Sequence, residues 1–530
     1  MSISFAHIPA SIRVPLFYAE MDNSAANIGN QPLNALLIGQ MLPSGSATPN
    51  VAIPVSDPNS AIALFGQGSM LARMVRVYRN QDAGSCNLWC LPLRDNLEGA
   101  QATGSITVGG VASAAGTIAL YIAGQVVDVA VQQGDTAATV ASNMVLAINA
   151  DADLPVTAHL GLAPGSIQPN SPVMLGNSPT LASSTPSAMI TLMCRWIGWT
   201  GNDITVQDSF LGWSAGESLP PGITLTYPRP TLDGGGLDPL LNNTAIPAMG
   251  DTPFDFIIHP YAQAPVLDAL QLELNDATGR WSYAKQIYGH AYTARRGLLS
   301  DLVAFGSTRN DQHHTIAAID EDCPNPCWEY AAAYGGANAV DIANDPARPT
   351  QTTPLVGLLA PRAGQSFLLE ERQSLLSFGV ATSFIAGGQL CVERAITTYQ
   401  QNAFGVADTS YLDSETLHTS AYVLRALKSV ITSKYPRHKL ADDGTRFASG
   451  QAIVTPSVIK GELCAIYGDL EYQGIVENLD TFKKYLIVER DSNDHNRVNV
   501  LFPPDYVNQL RVLAVLNQFR LQYPAAQIVP

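Results

Sequence analysis

The 530 residues exceed what a single core can fill and predict roughly three or four domains, while 46% hydrophobic and 14% charged residues exclude a disordered chain. A formal net charge of −16 disfavours direct binding to nucleic acid, because it repels phosphate backbones. No run approaches the roughly 18 uncharged apolar residues of a membrane span, and the N-terminus has no signal-peptide pattern. We therefore expect the protein to be synthesised in the cytoplasm and not to insert into a membrane.

The first predicted element is a strand close to the N-terminus. Residues 12–18, "IRVPLFY", are rich in β-formers and lie between Pro9 and Asp22. A strand at a chain end needs a partner strand to complete its hydrogen bonds. Further along, the sequence predicts a buried strand at 33–41, a helical stretch at 60–78 and a strand at 87–93.

The amino-acid composition changes between 103 and 232, where the only basic residues are Arg195 and Arg229 and seven residues are acidic. β-branched runs split by glycine predict a meander over 104–132, and a strand pair is predicted around 189–207. One helix interrupts these strands. Thr136 is placed to cap it, and Val140, Met144 and Ile148 share one face. We interpret 103–232 as an inserted domain.

Strands alternate with short helices after the insertion. Strands are predicted at "FDFIIHP", "SYAKQIYGHA" and "HHTIAAI", with helices at "APVLDALQLELND" and "GLLSDLVAFGS". This alternation predicts βαβ crossovers and a largely parallel sheet, which continues the sheet begun at 33–93.

The last part of the chain, 371–530, is predicted to be α+β and is richer in basic residues. It holds 15 of the 29 Lys and Arg residues against 16 acidic ones. A helix is predicted after Asp413, with Leu417, Ala421, Leu424, Lys428 and Ile431 spaced as one face. The segment 511–521 is apolar on both faces; its valine content favours a strand, although a short buried helix fits the periodicity as well.

Gly212-Trp213-Ser214-Ala215-Gly216 satisfies the G-x-S-x-G pattern of a nucleophile elbow. That elbow needs a strand before the serine and a helix after it. Pro220 and Pro221 block the required helix, which favours a glycine-rich turn.

Other motifs also fall short of a chemical site. Cys86/Cys90 and Cys323/Cys327, with His313-His314 near the second pair, have spacings that zinc tolerates, but their contexts favour reduced structural thiols. Gly66–Ser69 lacks the remainder of a phosphate-loop pattern, and the acidic runs 320–322 and 442–444 lack the alternating ligands of a calcium loop. We therefore predict no catalytic, cofactor-binding or metal-binding residues and no enzyme.

Eight stretches, taken in order, resemble the tail sheath proteins of Mu-like contractile-tailed bacteriophages. They span nearly the whole chain, although 103–232 is its least diagnostic part. The stretches are "IPASIRVPLFYAEMDNSAA", "LFGQGSMLARMVRVYR" (64–79), "WIGWTGNDI" (196–204), "TRNDQHH" (308–314), "DPARPTQT" (345–352), "ERAITTYQ" (393–400), "FKKYLIVERD" (482–491) and "LFPPDYVNQLRVLAVLNQFRLQY" (501–523).

The resemblance implies a structural virion protein that stacks in rings around an inner tube and shifts from an extended to a contracted lattice, which drives the tube through the host envelope for genome delivery. The implied fold class is multidomain α/β and α+β. The expected domains are an N-terminal arm and linker (1–32), a discontinuous α/β core (33–102 plus 233–370), an inserted β-rich outer domain (103–232) and an α+β C-terminal domain with a C-terminal arm (371–530).

The resemblance further implies that the terminal arms add strands to a sheet in neighbouring subunits. An unpaired strand edge becomes a specific linkage in a polymer, which agrees with β-augmentation. The predicted arm residues are Ile12, Arg13, Val14, Leu16, Tyr18, Arg511, Val512, Val515, Phe519 and Leu521.

The expected partners are further copies of the chain, the tail tube protein, and baseplate and tail terminator proteins, in a tail assembled in the host cytoplasm. No cofactor is expected. Arg425 and Lys428, three residues apart on one helix, are predicted to meet acidic groups on the tube; the alternative is an ordinary solvated face. The rival functions are a serine hydrolase that uses Ser214 and a monomeric adhesin or binding module.

Overall fold

The computed structural model describes residues 32–161, 188–242 and 244–521, which form a mixed α/β structure with several sheets. The helices in these ranges are α1 (Pro58–Phe65), α2 (Met70–Gln81), α3 (Ala137–Ala150), α4 (Ala245–Met249), α5 (Ala264–Leu274), α6 (Leu299–Gly306), α7 (Cys327–Asn344), α8 (Leu369–Ser377), α9 (Ser414–Lys434), α10 (Pro456–Tyr472) and α11 (Leu479–Tyr485).

The strands of the same ranges lie between these helices, singly or in groups of up to four. They are β1 (Asn34–Gln40), β2 (Ile53–Pro54), β3 (Asn87–Leu93), β4 (Gln101–Gly110), β5 (Gly116–Ile122), β6 (Gln125–Val131), β7 (Val156–Leu160), β8 (Met189–Ile197), β9 (Val206–Asp208), β10 (Ile223–Thr226), β11 (Phe256–Ile258), β12 (His290–Arg296), β13 (His314–Ile319), β14 (Thr382–Ala386), β15 (Gln389–Arg394), β16 (Lys439–Leu440), β17 (Ile453–Val454), β18 (Ile487–Arg490) and β19 (Val498–Leu501).

The largest sheet has six strands in the order β13-β12-β11-β1-β3-β2. Its strands are parallel except β2, which runs antiparallel to β3. The strand β1 is buried on both faces: Leu37 joins the core under α2 and α7, while Leu36 joins the core under α4 and α5. Helices on both faces explain why such strands are continuously apolar. The predicted parallel sheet is confirmed.

This sheet combines two distant parts of the chain. Leu36 on β1 is aligned with Trp89 on β3 at one side and with Ile257 on β11 at the other. The segment between β3 and β11 leaves the sheet and returns to it. The domain limits, 33–102 plus 233–370 around 103–232, stay a prediction.

The segment between β3 and β11 contains two antiparallel sheets, β10-β4-β8-β7 and β6-β5-β9, with α3 packed beside them. The predicted helix is confirmed, since the Thr136 side chain accepts from the Thr139 amide and Val140, Met144 and Ile148 are buried. The two strands predicted around 189–207 are present as β8 and β9, but the prediction that they pair with each other is wrong. A 3₁₀ helix at Trp199–Asp203 separates β8 from β9, and the two strands enter different sheets.

Two further differences lie in the parallel part of the chain. The strand predicted at 282–291 begins only at His290, because 282–285 form a turn and 286–289 are irregular. The sequence interpretation missed α7 altogether, the helix that packs on α2 and the central sheet. Gly335 and Gly336 lie at its middle, where an added Cβ on Gly335 would meet Ile258 Cδ1 at 2.6 Å. Close helix-to-sheet packing requires glycine at this position.

The C-terminal part is built around three helices. The long helix predicted after Asp413 is confirmed as α9. It packs with α10 and α11 around a core that includes the stacked rings of Tyr467 and Phe482, 3.7 Å between centroids. The remaining sheets here have two strands each, and one of them is the β18–β19 hairpin.

Candidate functional site

Ser214 does not lie in a nucleophile elbow. It lies in a single 3₁₀ turn, Trp213–Ala215, that ends at Gly216 in the left-handed region with φ 82°. An elbow would place the serine between a strand and a helix. The structure therefore has the glycine-rich turn that the sequence favoured, and the hydrolase hypothesis loses its site.

The cysteines with zinc-like spacing are buried free thiols: Cys86, Cys90, Cys323 and Cys327. Burial raises the pKa of Cys86 and of Cys323 to about 12, which keeps both thiols protonated at neutral pH. In the described ranges, no three His, Cys, Asp or Glu side chains are grouped so that they could hold a metal ion.

The glycine-rich stretch Gly66–Ser69 starts a helix and is closed off by other chain segments. The Ser69 hydroxyl accepts from the Ala72 amide at 3.2 Å and is fully buried. A Cβ on Gly68 would lie 2.4 Å from the Ala152 carbonyl oxygen, so no space is left for a phosphate there. This stretch serves as a helix start.

The predicted N-terminal arm, with Ile12, Arg13, Val14, Leu16 and Tyr18, lies outside the described residues. The C-terminal arm is described as far as Leu521. The structure places neither a helix nor a strand at 507–521. The strand predicted at 511–521 is therefore absent from the single chain, and its pairing with another copy stays a prediction.

Apolar side chains of the C-terminal arm are strongly exposed. Val512 is 80% exposed, Val515 75%, Phe519 77% and Leu521 96%. Arg511 differs from them, because its guanidinium lies on its own chain: Nη2 donates to Glu415 Oε1 at 2.9 Å and to Asp413 Oδ1 at 3.3 Å. The arm thus begins at an internal ion-pair cluster and continues as an exposed apolar segment.

The β18–β19 hairpin is a two-stranded sheet with apolar residues on its surface. Its register aligns Ile487 with Leu501 and Val488 with Val500. Ile487, Val500 and Leu501 are all exposed. Within the described residues no further strand joins this sheet, so the outer edge of each strand is open. Such an edge is a template for strand addition.

The two basic residues predicted to face a tube lie in different environments on α9. The Arg425 guanidinium forms an ion pair with Asp255 and lies 5.4 Å from the centroid of the Tyr288 ring. Lys428, one turn further, is exposed. Arg425 thus joins α9 to the central part of its own chain, whereas Lys428 is exposed, and the contact of either residue with a tube stays a prediction.

An apolar groove of about 350 Å³ runs along α9 close to the hairpin. Its lining includes Leu424 and Leu427 from α9, Phe502 and Tyr506 from the segment after the hairpin, and Trp281 from the central part. It lies where the chain leaves the hairpin toward the C-terminal arm. The groove, the hairpin and the arm therefore cluster on the C-terminal part of the molecule.

Four buried histidines occupy the junction between the central sheet and α9. His259 Nε2 lies 2.9 Å from His314 Nε2, His290 Nε2 lies 2.8 Å from Thr315 Oγ1, and the Tyr292 hydroxyl lies 3.0 Å from His418 Nε2. Burial lowers the pKa of His259 and of His418 to about 3. Burial also moves the pKa of His290 and of His314 well below 6.5. All four imidazoles are neutral at pH 7.

Two arginines, the buried Arg73 and the partly buried Arg296, attach the segment between β3 and β11 to the rest of the chain. Arg73 Nε donates to Glu329 Oε1 at 2.7 Å, and its Nη1 donates to the Asp153 carbonyl at 2.6 Å. Arg296 Nε donates to Asp203 Oδ1 at 2.6 Å, and its Nη2 donates to the Asn325 carbonyl at 2.6 Å. Multiple donors in a fixed fork suit arginine to this role.

Sequence reasoning missed the histidine junction, both arginine clusters and the partners of Arg511. Adjacent His313-His314 was the one visible signal, but the other three histidines of the junction are scattered along the chain. Nothing in the local pattern pairs Arg73 with a carboxylate 256 residues away.

No helix among the described residues is long and apolar enough to cross a bilayer.

Comparison with known families gives two matches. The family model described as phage tail sheath protein central domain matches residues 238–398, and that described as phage tail sheath C-terminal domain matches residues 406–520. Together they cover more than half of the chain.

A curated relative matches nearly the whole length. It is the Mu-like prophage FluMu tail sheath protein of Haemophilus influenzae, 40% identical over 524 residues, which are 98% of this chain and 100% of that protein. Among solved structures, the sheath tail protein of Desulfitobacterium hafniense has a TM-score of 0.47 at 11% identity, covering 94% of this chain and 97% of the other. The helical sheath of the anti-feeding prophage in its contracted state has a TM-score of 0.44 at 9% identity, covering 96% and 100%.

Proposed function

The chain belongs to the phage tail sheath protein family, and from this membership we propose that its copies join into a helical sheath by exchanging terminal strands. The sequence match over 98% of the chain carries the sheath function. The protein is thus a structural component of a phage-like tail and not an enzyme. The proposed organisation keeps the arm at 1–32, the core at 33–102 plus 233–370, the inserted outer domain at 103–232 and the C-terminal domain at 371–530.

The C-terminal part of the described chain supports strand exchange. The arm after Arg511 exposes apolar side chains on both faces, and the β18–β19 hairpin offers two open edges with Ile487, Val500 and Leu501 at the surface. A two-stranded hairpin is marginally stable alone and gains from additional strands. We assign the hairpin as the acceptor of arm strands from neighbouring copies.

The strength of one such link follows from its hydrogen bonds. A five-residue strand forms about four or five backbone hydrogen bonds, each contributing roughly 0.5–1.5 kcal/mol. A single link is therefore moderate. Contacts that repeat head to tail without closing produce a long filament, in which many moderate links act together.

Deletion of the arm and disruption of the hairpin test this proposal. We expect purified full-length protein to form long tubes in negative-stain micrographs, and a chain that ends at Arg511 to remain as single subunits or short oligomers. Ile487→Asp should have the same effect, because it places a charge on the edge that receives the arm.

Leu97→Asp is the matched control, since Leu97 is exposed but lies outside the C-terminal part. It should form tubes of normal length. Normal tubes from the chain that ends at Arg511 would contradict strand exchange through the C-terminal arm. A full-length protein that stays monomeric would instead favour a binding module.

We further propose that the sheath surrounds a tail tube and meets acidic groups on it through Lys428. Arg425 is a weaker candidate for this contact, because its guanidinium already forms an ion pair with Asp255. Lys428→Glu should weaken sedimentation of subunits with purified tubes. Lys484→Glu on α11 is the control, because it makes the same charge change at another exposed lysine. Equal sedimentation of both variants with tubes would remove Lys428 from the interface.

The remaining proposals follow from membership of the family. They comprise contact with baseplate and tail terminator proteins, assembly in the host cytoplasm, and a transition from an extended to a contracted lattice that drives the tube through the host envelope. The transition needs no nucleotide in this proposal, because the subunits are held in a metastable arrangement by a kinetic barrier.

A further inference from the structure

The C-terminal arm contacts its own subunit as far as Arg511 and is exposed from Val512 onward. Tyr506 pairs with Val476 in an isolated antiparallel bridge. The Gln509 side chain donates to the Ala347 carbonyl at 3.0 Å, and the Leu510 carbonyl accepts from Gln351 Nε2 at 3.4 Å. These contacts hold the backbone along the body of the subunit as far as Arg511.

Arg511 ends this series with the strongest contacts. Its side chain is 11% exposed, and its Nη2 group donates to Glu415 and Asp413. Glu415 is fully buried at the start of α9, where its Oε1 also accepts from the amide and hydroxyl of Thr350. Asp413 in turn is held by Arg394 at 2.8 and 2.9 Å.

The buried carboxylate makes this contact more than a surface ion pair. Glu415 cannot reach solvent, and its second oxygen, Oε2, has no hydrogen-bond partner within the described residues. A buried carboxylate that loses its cation leaves an uncompensated charge in the interior. The negative charge of buried Glu415 therefore holds the Arg511 guanidinium in place.

We propose that Arg511 is a positioning residue that fixes where the C-terminal arm leaves the subunit, so that the part that reaches a neighbouring copy begins at Val512. This inference rests on the proposed exchange of arms and changes one of its details, because Arg511 itself does not enter the exchanged strand. From Val512 to Leu521 an extended chain spans roughly 33 Å. The anchor thus sets the reach of the link between subunits.

Trypsin digestion of unassembled protein tests the anchor directly, because the enzyme would cut the bond between Arg511 and Val512. Cleavage requires that the side chain leave its cluster, so its rate follows the opening of the anchor. We expect Arg511→Lys to be cut about tenfold faster at this bond than wild type, because a lysine has no second nitrogen that could contact Gln351 while the first contacts Glu415 and Asp413.

Arg446→Lys provides the matched control for the preference of the protease. Arg446 lies in an exposed irregular segment, so the same exchange there reports only the intrinsic difference between the two side chains. Gln351→Ala is a milder second variant, expected to raise cleavage at position 511 a few-fold by removing the contacts to Leu510 and Arg511. Wild-type cleavage at 511 as fast as at 446 would overturn the anchor.

Assembly provides a readout that a purely structural role would not change. Arg511→Lys subunits should melt at the wild-type temperature but form tubes with a less uniform axial repeat, because the arms leave their subunits from a variable point. An unchanged repeat despite faster cleavage would overturn the positioning role. Normal tubes from the chain that ends at Arg511 would overturn the exchange of arms, while the proteolysis result would still decide the anchor.

Discussion

Arg73 and Glu329 form an ion pair with both side chains almost completely buried, at 3% and 4% exposure. Two charges removed from water are stabilising only when each keeps its partner and its remaining hydrogen bonds. Arg73 meets this condition through Gln125 and Asp153, and Glu329 meets it through Asn325. The pair thereby joins α2, α7 and the segment between β3 and β11 at one point.

Glu329→Gln should reduce the free energy of unfolding by about 3–5 kcal/mol, because it leaves the buried Arg73 charge without a counterion. Urea denaturation followed by tryptophan fluorescence would measure the loss. Asp233→Asn is the control, since its pair with Arg229 is 55% and 66% exposed and should contribute only about 0–1 kcal/mol. Equal losses for both variants would contradict the assignment of Arg73 and Glu329 as a structural junction.

Gly335→Ala should destabilise the protein by about 1–3 kcal/mol, because its Cβ would overlap Ile258 at 2.6 Å. The same exchange at Gly461, in α10, should stabilise it by about 0.5–1 kcal/mol, because no atom lies within 4 Å of the added Cβ. Thermal melting of the two variants would show shifts of opposite sign. A rise in melting temperature for both would show that α7 can move away from the sheet.

The junction between the central sheet and α9 is an assembly of neutral histidines. His290 and His314 lie at the starts of β12 and β13, His259 follows β11, and His418 projects from α9. The Arg425 and Asp255 ion pair fastens the same helix to the same sheet. Apolar burial, neutral polar contacts and one ion pair therefore hold the central and C-terminal parts together.

Acidification should weaken the protein through these histidines. In the unfolded chain each imidazole takes up a proton near pH 6.5, whereas in the folded protein its pKa is lowered, to about 3 for His259 and His418. The unfolded state therefore binds more protons below pH 6.5, and stability falls as the pH decreases. Each histidine contributes a loss of about 1.4 kcal/mol per pH unit.

His418→Gln should reduce this dependence, because it removes one of the groups that gain a proton on unfolding. Denaturation of wild type and variant at pH 7.0, 6.0 and 5.0 would measure how the free energy of unfolding changes with pH in each protein. At the lower pH values the two slopes should differ by about 1.4 kcal/mol per pH unit. Identical slopes would indicate that His418 accepts its proton in the folded protein.

The sequence predicted the elements whose own residues carry a clear apolar pattern or a helix cap. The strands β1 and β3 and the helices α3 and α9 have continuous or periodic apolar residues, and α3 has a capping threonine as well. The helix α7 was missed because small residues and a glycine pair obscure its periodicity, and because it is buried on nearly all sides. Its fold depends on tertiary packing more than on propensity.

The C-terminal arm and the basic residues of α9 were predictable from the sequence only in part. The apolar side chains that the pattern marks after Arg511, among them Val512, Val515 and Phe519, are exposed in the single chain. The same pattern could not reveal that Arg511 is bound to Asp413 and Glu415, because those partners are 98 and 96 residues away and their proximity arises from the fold. Likewise, the spacing of Arg425 and Lys428 on α9 gave no information about Asp255.

At the scale of the whole molecule, the net charge of −16 opposes the approach of identical subunits. Salt screens such repulsion over a Debye length of about 10 Å at 0.1 M. The open hairpin edges and the exposed apolar arm provide attraction that salt does not weaken. Assembly should therefore reflect a balance between long-range repulsion and short-range contacts.

Polymerisation of purified subunits should accelerate when sodium chloride is raised from about 0.02 M to about 0.3 M, because screening lowers the repulsion between copies. Light scattering would follow the rate, and micrographs would verify that the product is tubular. Slower assembly at the higher salt concentration would mean that attraction between opposite charges, rather than strand pairing and apolar burial, dominates the contact between subunits.

The position of β1 between β3 and β11 also has a consequence for biosynthesis. At about 5–20 residues per second, a ribosome needs roughly ten to thirty seconds to translate the chain between β3 and β11. During that interval the edge of β1 that pairs with β11 has no partner strand. The nascent polypeptide is thus exposed to chaperones and to misassociation on crowded polysomes until the returning strand emerges from the exit tunnel.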